Sequence, residues 1–198
     1  MSKVKWKGST LLAPVPPALV TCGTMEKPNV LTIAWTGIIN TNPPKTYISV
    51  RPERFSYDMI DSLGEFVINL PTKDMVRAVD FCGVKSGKDI DKFKKTNLNI
   101  QKCEFVSCPQ IEQSPLSLEC KVFDKIELGT HHMFLADIVG VNVDESLLDK
   151  NGRLCIEKAR LIAYAHGDYF ELGKNLGDFG FSVRKKKTPS KKRPKRNK

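Results

Sequence analysis

The sequence has no apolar run approaching the ~20 residues needed to cross a bilayer as a helix. Its most apolar stretch, Val30 to Ile39, is interrupted by Thr32, Thr36 and Gly37. No continuous apolar segment of signal-peptide length follows the N-terminal lysines, because Pro14, Pro16 and Pro17 intervene. The expectation is a cytoplasmic protein without a transmembrane segment. C-x-x-C is missing too. The nearest cysteine pair, Cys103 and Cys108, has four residues between its members, and His131, His132 and His166 lie far from any thiol cluster. This predicts no metal site, and it makes the six cysteines reduced, half-buried small hydrophobes rather than ligands or disulfide partners. Neither G-x-G-x-x-G nor G-x-S-x-G occurs, which removes the local signatures of a dinucleotide fold and of a nucleophile elbow. No repeat of solenoid or propeller period is present.

Acidic residues are absent from Arg184 to Lys198, where ten basic residues gather. The formal net charge of the chain is +10, so positions 1–183 carry 22 basic and 22 acidic side chains and balance to zero. The chain therefore reads as a neutral body, residues 1–183, carrying a basic tail, residues 184–198, that is predicted to be disordered. The tail has no aromatic residue to stack on a base. It is suited to salt-sensitive, non-specific contact with nucleic acid or an anionic surface, or simply to solubility.

Within the body, short runs rich in Val, Ile, Thr and aromatics alternate with turn residues. Strands are expected over Ala18–Thr24, Val30–Ile39, Thr46–Val50, Glu65–Leu70, Leu116–Lys125, His132–Val143 and Leu161–Ala165, with a turn at Glu26–Asn29. Helices are expected over Phe55–Leu63, stopped by Gly64, and over Asp74–Cys82 and Asp89–Lys95. Many strands, few helices and no steady β-α alternation predict a barrel or sandwich with short inserted helices, and exclude a doubly wound sheet.

Three features carry candidate chemistry. On a continuous strand, Thr32, Ala34 and Thr36 would share one face and Ile33 and Trp35 the other, leaving a small-residue face that something flat can approach. Arg51-Pro52-Glu53-Arg54-Phe55-Ser56 sets two guanidinium forks and a hydroxyl at a helix start, a combination suited to phosphate. Gly83-Val84-Lys85-Ser86-Gly87-Lys88-Asp89 evokes a P-loop. It has three residues between its glycines where four are required, and Asp89 stands where a magnesium-binding hydroxyl is needed. What is left is a lysine-bearing loop leading into a helix, either a solvated connector or an anion holder.

Taken in order, the N-x-x-T-x-A-W-T segment, Pro43-Pro44, I-S-V-R-P-E-R-F-S, G-E-F-V-I-N-L, Ser86 to Phe93, Gly129-Thr130-His131 and Tyr164 to Leu172 resemble the flavin reductase-like family, and more narrowly its flavoredoxin branch. That resemblance implies a mainly β, FMN-binding split barrel. It further implies a homodimer with one FMN per subunit near the interface, and electron transfer through that FMN to a protein or flavin acceptor. By the same resemblance Thr32, Ala34, Trp35 and Thr36 lie on the flavin ring, Ser49, Arg51, Arg54 and Ser56 near the phosphate, and Ser86, Lys88 and Lys92 close to the cofactor. Many relatives read Gly-Asp-His where this chain has Gly129-Thr130-His131. His131 is thus the candidate catalytic residue, and loss of the acid bears on direct NAD(P)H oxidation. Two alternatives are an NAD(P)H:flavin oxidoreductase using flavin as a substrate and a flavin-free binding module working through the basic tail.

Overall fold

The computed structural model describes residues 1–184; the basic run from Lys185 onward, and with it the expected disorder of the tail, lies outside the described residues. Seven antiparallel strands form the main sheet: β1 (Ala18–Gly23), β2 (Pro28–Ile33), β3 (Thr36–Asn40), β4 (Lys45–Val50), β5 (Glu65–Leu70), β8 (Leu116–Glu127) and β9 (His132–Val143). Two small hairpins complete the β structure, β6 (Ile100–Gln101) with β7 (Gln110–Ile111), and β10 (Ile162–Ala165) with β11 (Asp168–Glu171). Three short helices are inserted: α1 (Phe55–Leu63), α2 (Val76–Val84) and α3 (Lys92–Thr96). The protein is mainly β, as its run pattern predicts.

The spatial order of the sheet, β2-β1-β5-β8-β9-β4-β3, dictates its shape. β2 and β3 occupy opposite edges, yet only Ala34 and Trp35 separate them in the chain. Three virtual Cα–Cα bonds span at most about 11 Å. The sheet must therefore curl until its edges nearly meet, giving a barrel split along one seam. The amide of Ser49 donates to the Trp35 carbonyl at 3.0 Å and fixes the seam to β4.

Alternation divides the apolar residues between two sides of the curled sheet. Ala18, Val20, Cys22, Leu31, Ile33, Ile48, Val50, Phe66, Ile68, Phe134 and Ala136 fill the interior, where α1 contributes Tyr57 and Ile60. Leu19 and Val30 point the other way and are covered by Met75, Ala78, Val79 and Cys82 around α2. Five of the six cysteines are buried and all are free.

The expected single strand Val30–Ile39 is two strands. Its β-branched residues satisfy strand chemistry throughout, but the chain has to cross from one sheet edge to the other at Ala34-Trp35. The three-residue alternation of Thr32, Ala34 and Thr36 on one face is lost with it. The expected turn at Glu26–Asn29 is shorter, because Pro28 and Asn29 already pair with Gly23 and Cys22. Proline is accommodated at the first position of an edge strand, where no partner needs its missing N–H. The helix expected over Asp74–Cys82 begins at Val76 after a 3₁₀ turn at Lys73–Met75, and that expected over Asp89–Lys95 begins at Lys92. There the Asp91 side chain accepts from the Lys94 amide and sets the start.

Candidate functional site

A cleft of about 390 Å³ opens along the barrel seam. One wall is the passage from β2 into β3, with Thr32, Ile33, Ala34 and Trp35; the end of β4 adds Ser49 and Arg51. His131 enters from the turn before β9, Asp80, Gly83 and Val84 from α2, and Tyr164, Gly167 and Tyr169 from the β10–β11 hairpin. The imidazole of His131 packs on Trp35 with ring centroids 4.3 Å apart and planes at 42°. Its pKa lies below the ordinary histidine value through burial first and the nearby Arg51 guanidinium next; Glu53 opposes the shift, and Arg54 adds to it.

Arg54 joins this cleft to a second one. It is the residue before α1, extended at φ −74° and ψ 132°, and no side chain caps the helix it introduces. Its guanidinium instead donates to the Gly83 carbonyl at 2.9 Å, tying the start of α1 to the end of α2. The second cleft, of about 110 Å³, lies beside this contact and is lined by Arg54, Ser56, Ser86, Gly87 and Lys92. Leu31, Arg54 and Val84 line both clefts.

Charge in the smaller cleft is uncompensated. Lys92 is only 4% exposed, and its ammonium donates to the carbonyls of Val30 at 2.7 Å and Cys82 at 3.1 Å. No carboxylate forms an ion pair with it among the described residues. Burial pushes its pKa below the ordinary lysine value. Two neutral carbonyls leave a buried cation able to accept an anionic partner. Ser56 is positioned by Asn29, whose amide donates to the Ser56 hydroxyl at 2.6 Å. A Cβ on Gly87 would stand 2.1 Å from the Asn29 side-chain oxygen, so the loop approaches Asn29 this closely only with glycine there.

The structure therefore brings Thr32, Ala34, Trp35, Ser49, Arg51, Arg54 and His131 to one cleft, and Arg54, Ser56, Ser86 and Lys92 to the other. Thr36 and Lys88 stand outside both. The Thr36 hydroxyl donates to the Tyr47 carbonyl at 2.6 Å, while Lys88 is exposed and its backbone amide bonds Ser86. The Thr32 hydroxyl donates to Val79 O at 2.5 Å, a bond that fastens β2 to α2. Asn29, Asp80, Tyr164 and Tyr169 were not singled out by sequence reasoning. A usable signal for the last two lay in Tyr164-Ala165-His166-Gly167-Asp168-Tyr169, where His166 and Gly167 have φ of 50° and 101° and turn a tight hairpin. Tyr164 and Tyr169 are paired across it, with centroids 5.4 Å apart.

Residues 11–173 match the model of the flavin reductase-like domain. Flavoredoxin of Desulfovibrio vulgaris (Miyazaki F) superposes with a TM-score of 0.85 at 31% identity, covering 92% of this chain and 100% of that one. Flavoredoxin from Methanosarcina acetivorans gives a TM-score of 0.83 at 26% identity, covering 93% and 100%. An uncharacterized protein of Archaeoglobus fulgidus is 30% identical over 138 residues, 70% of this chain and 77% of its own. With the seam, the paired clefts and a family match running through almost the whole neutral body, the chain belongs to the flavin reductase-like family and has its split-barrel fold.

Proposed function

We propose that the protein binds FMN across the two joined clefts and works as an electron-transferring flavoprotein of the flavoredoxin type. The observation that carries this reading is the junction at Arg54 between a flat-walled aromatic cleft and a small cationic one. Trp35, His131 and Tyr164 give the larger cleft surfaces for a planar ring, while Ala34 keeps the seam open to it. The smaller cleft has room for one phosphate group, which Arg54, Ser56, Ser86 and the buried Lys92 would hold. A terminal phosphate monoester fits this arrangement, so FMN is favoured over a dinucleotide flavin.

When bound, FMN supplies the acceptance and release of electrons. The chain's own contribution is to orient the ring, keep water from one of its sides and place positive charge nearby. Arg51 and Arg54 provide that charge permanently, whereas His131 is held toward its neutral form at neutral pH. A fixed cation beside the cleft favours the electron-rich form of the cofactor.

A homodimer accompanies this reading. Ile38 and Ile39 on the edge strand β3, and Leu176 and Phe179 beyond the last strand, are exposed apolar side chains that a second copy can cover. Light scattering at micromolar concentration should return twice the chain mass.

The decisive measurement is the absorbance spectrum of purified protein, with heat release of whatever absorbs. About one FMN released per chain, or stoichiometric uptake of added FMN, supports the proposal; colourless protein that takes up none overturns it. Removal of residues 184–198 leaves flavin uptake intact if the domain boundary lies at Val183. A second reading, direct oxidation of NAD(P)H, is supported by His131 standing within the cleft despite Thr130 beside it. Rapid bleaching on anaerobic mixing with NADH or NADPH would establish it.

A further inference from the structure

The larger cleft continues outward into a groove of about 520 Å³ between α2 and the β10–β11 hairpin. Asp80, Val84, Gly167 and Tyr169 line both spaces, so nothing separates them but the side chains they share. The groove has its own charged groups. Arg77 and Asp80 are three residues apart on α2 and lie on one face of the helix, yet they form no ion pair. Arg77, Asp80 and Asp168 are exposed, and neither Arg77 nor Lys85 pairs with a carboxylate among the described residues. Phe81 and the half-buried Tyr169 supply flat apolar surface between the charges.

We infer that this outer groove binds a second reactant, a small organic anion with a flat ring, and presents it to the occupant of the inner cleft. The inference rests on the flavin reading of the inner cleft. If a flavin fills that cleft and its phosphate the smaller one, β2–β3, the end of β4 and His131 close the ring in from the seam side. The open approach is from α2 and the hairpin. Arg77, with Lys85 nearby, meets the anionic group; Asp80, at the boundary between the two spaces, accepts a hydrogen bond from a donor on the ring-bearing part. Asp168 opposes a second negative charge at the hairpin side, so a compact reactant with one anionic group fits better than a polyanion. The volume is within the range of small-molecule sites and the groove is concave, which favours a small reactant over a docked protein surface.

The test is titration of FMN-loaded protein with two separate probes, NADPH and benzoate, followed by the flavin absorbance band. Wild type, Arg77→Glu and Arg77→Lys are compared, with the FMN affinity of each measured alongside. The expected result is a saturable spectral change with at least one probe, weakened roughly tenfold or more by Arg77→Glu and largely restored by Arg77→Lys. FMN affinity should stay within about twofold in all three, because Arg77 lines neither flavin cleft. Response to NADPH alone assigns a phosphate-bearing reactant, and response to benzoate alone a carboxylate. No saturation with either probe up to about 10 mM, or equal affinity in Arg77→Glu, overturns the proposal. Should the protein take up no FMN, the flavin reading fails by itself. The groove is then decided by amide chemical shifts of α2 in flavin-free protein: shifts with either probe that vanish in Arg77→Glu support it, and their absence overturns it.

Discussion

The phenol of Tyr57 meets Nδ1 of His132 at 2.7 Å and binds α1 to the first residue of β9. The same ring stands edge-on to the His132 imidazole, and Lys125, itself paired with Asp61, hovers 5.7 Å over it. His132 faces the helix while its neighbour His131 faces the cleft, as adjacent strand residues must. A bond on one side of the strand thus fixes what the other side presents.

Tyr57→Phe keeps the ring and removes this bond. It should lower stability by about 1 kcal/mol, whereas Tyr57→Ala, which also empties a buried site, should cost about 3–5 kcal/mol. Urea unfolding followed by circular dichroism gives both numbers. Equal losses in the two variants would show that the hydroxyl contributes nothing apart from the ring.

Arg54→Ala removes a guanidinium shared by both clefts and the tie to Gly83. FMN affinity should fall by about 1.5–3 kcal/mol, read by quenching of flavin fluorescence on titration. Unchanged affinity would take Arg54 out of the site and move the anion contact to Lys92 and Ser56.

The lowered pKa of His131 has a sign that can be checked. Between its native value and the ordinary 6.5 the unfolded chain binds the extra proton and the native chain does not. Stability contributed by the neutral imidazole is therefore complete above 6.5 and is lost as pH falls through the native value. In a Trp6→Phe background the fluorescence of Trp35, which touches His131, follows this titration directly. Its midpoint should lie below 6.5 and rise in Arg51→Ala. A midpoint that ignores Arg51 would leave burial as the sole cause.

Thiol chemistry should separate Cys155 from the other five. Burial pushes Cys22 and Cys103 up to about 12 and Cys82 up to about 11, and raises Cys108 and Cys120 further. Cys155 is half-buried. Iodoacetamide at mildly alkaline pH should add one mass increment to the native chain, absent in Cys155→Ser, and six on unfolding. Several rapid increments in the native state would contradict the burial of the core thiols.

Local chemistry made much of this architecture readable. The span Phe55–Leu63 with Gly64 after it, and the strands Glu65–Leu70 and His132–Val143, stand where propensity and turn residues place them. Gly64 has φ of 68°, the left-handed stop that glycine permits. The seam was hidden for the opposite reason. Nothing in Val-Leu-Thr-Ile-Ala-Trp-Thr-Gly-Ile-Ile announces that its two halves pair with different neighbours, since that is a property of sheet closure rather than of the segment. Arg54, Ser56 and Lys92 could be singled out as charged or hydroxyl groups near helix starts. Asn29 and Tyr169 could not, because their roles depend on Gly87 and Tyr164, far away in the chain.

The two-residue link at Ala34-Trp35 also makes the cleft a late arrival in folding. An uncurled sheet can have every strand paired and still possess no cavity, because the walls belong to opposite rims. Whatever occupies the cleft is therefore a clasp as well as a reagent: it is bound only by chains whose rims have come together. A ligand present at about a hundred times its dissociation constant would add about 2.7 kcal/mol to the closed form. Loss of the occupant should loosen the rim strands β2 and β3 before the central β5 and β8, an order that hydrogen exchange resolves strand by strand.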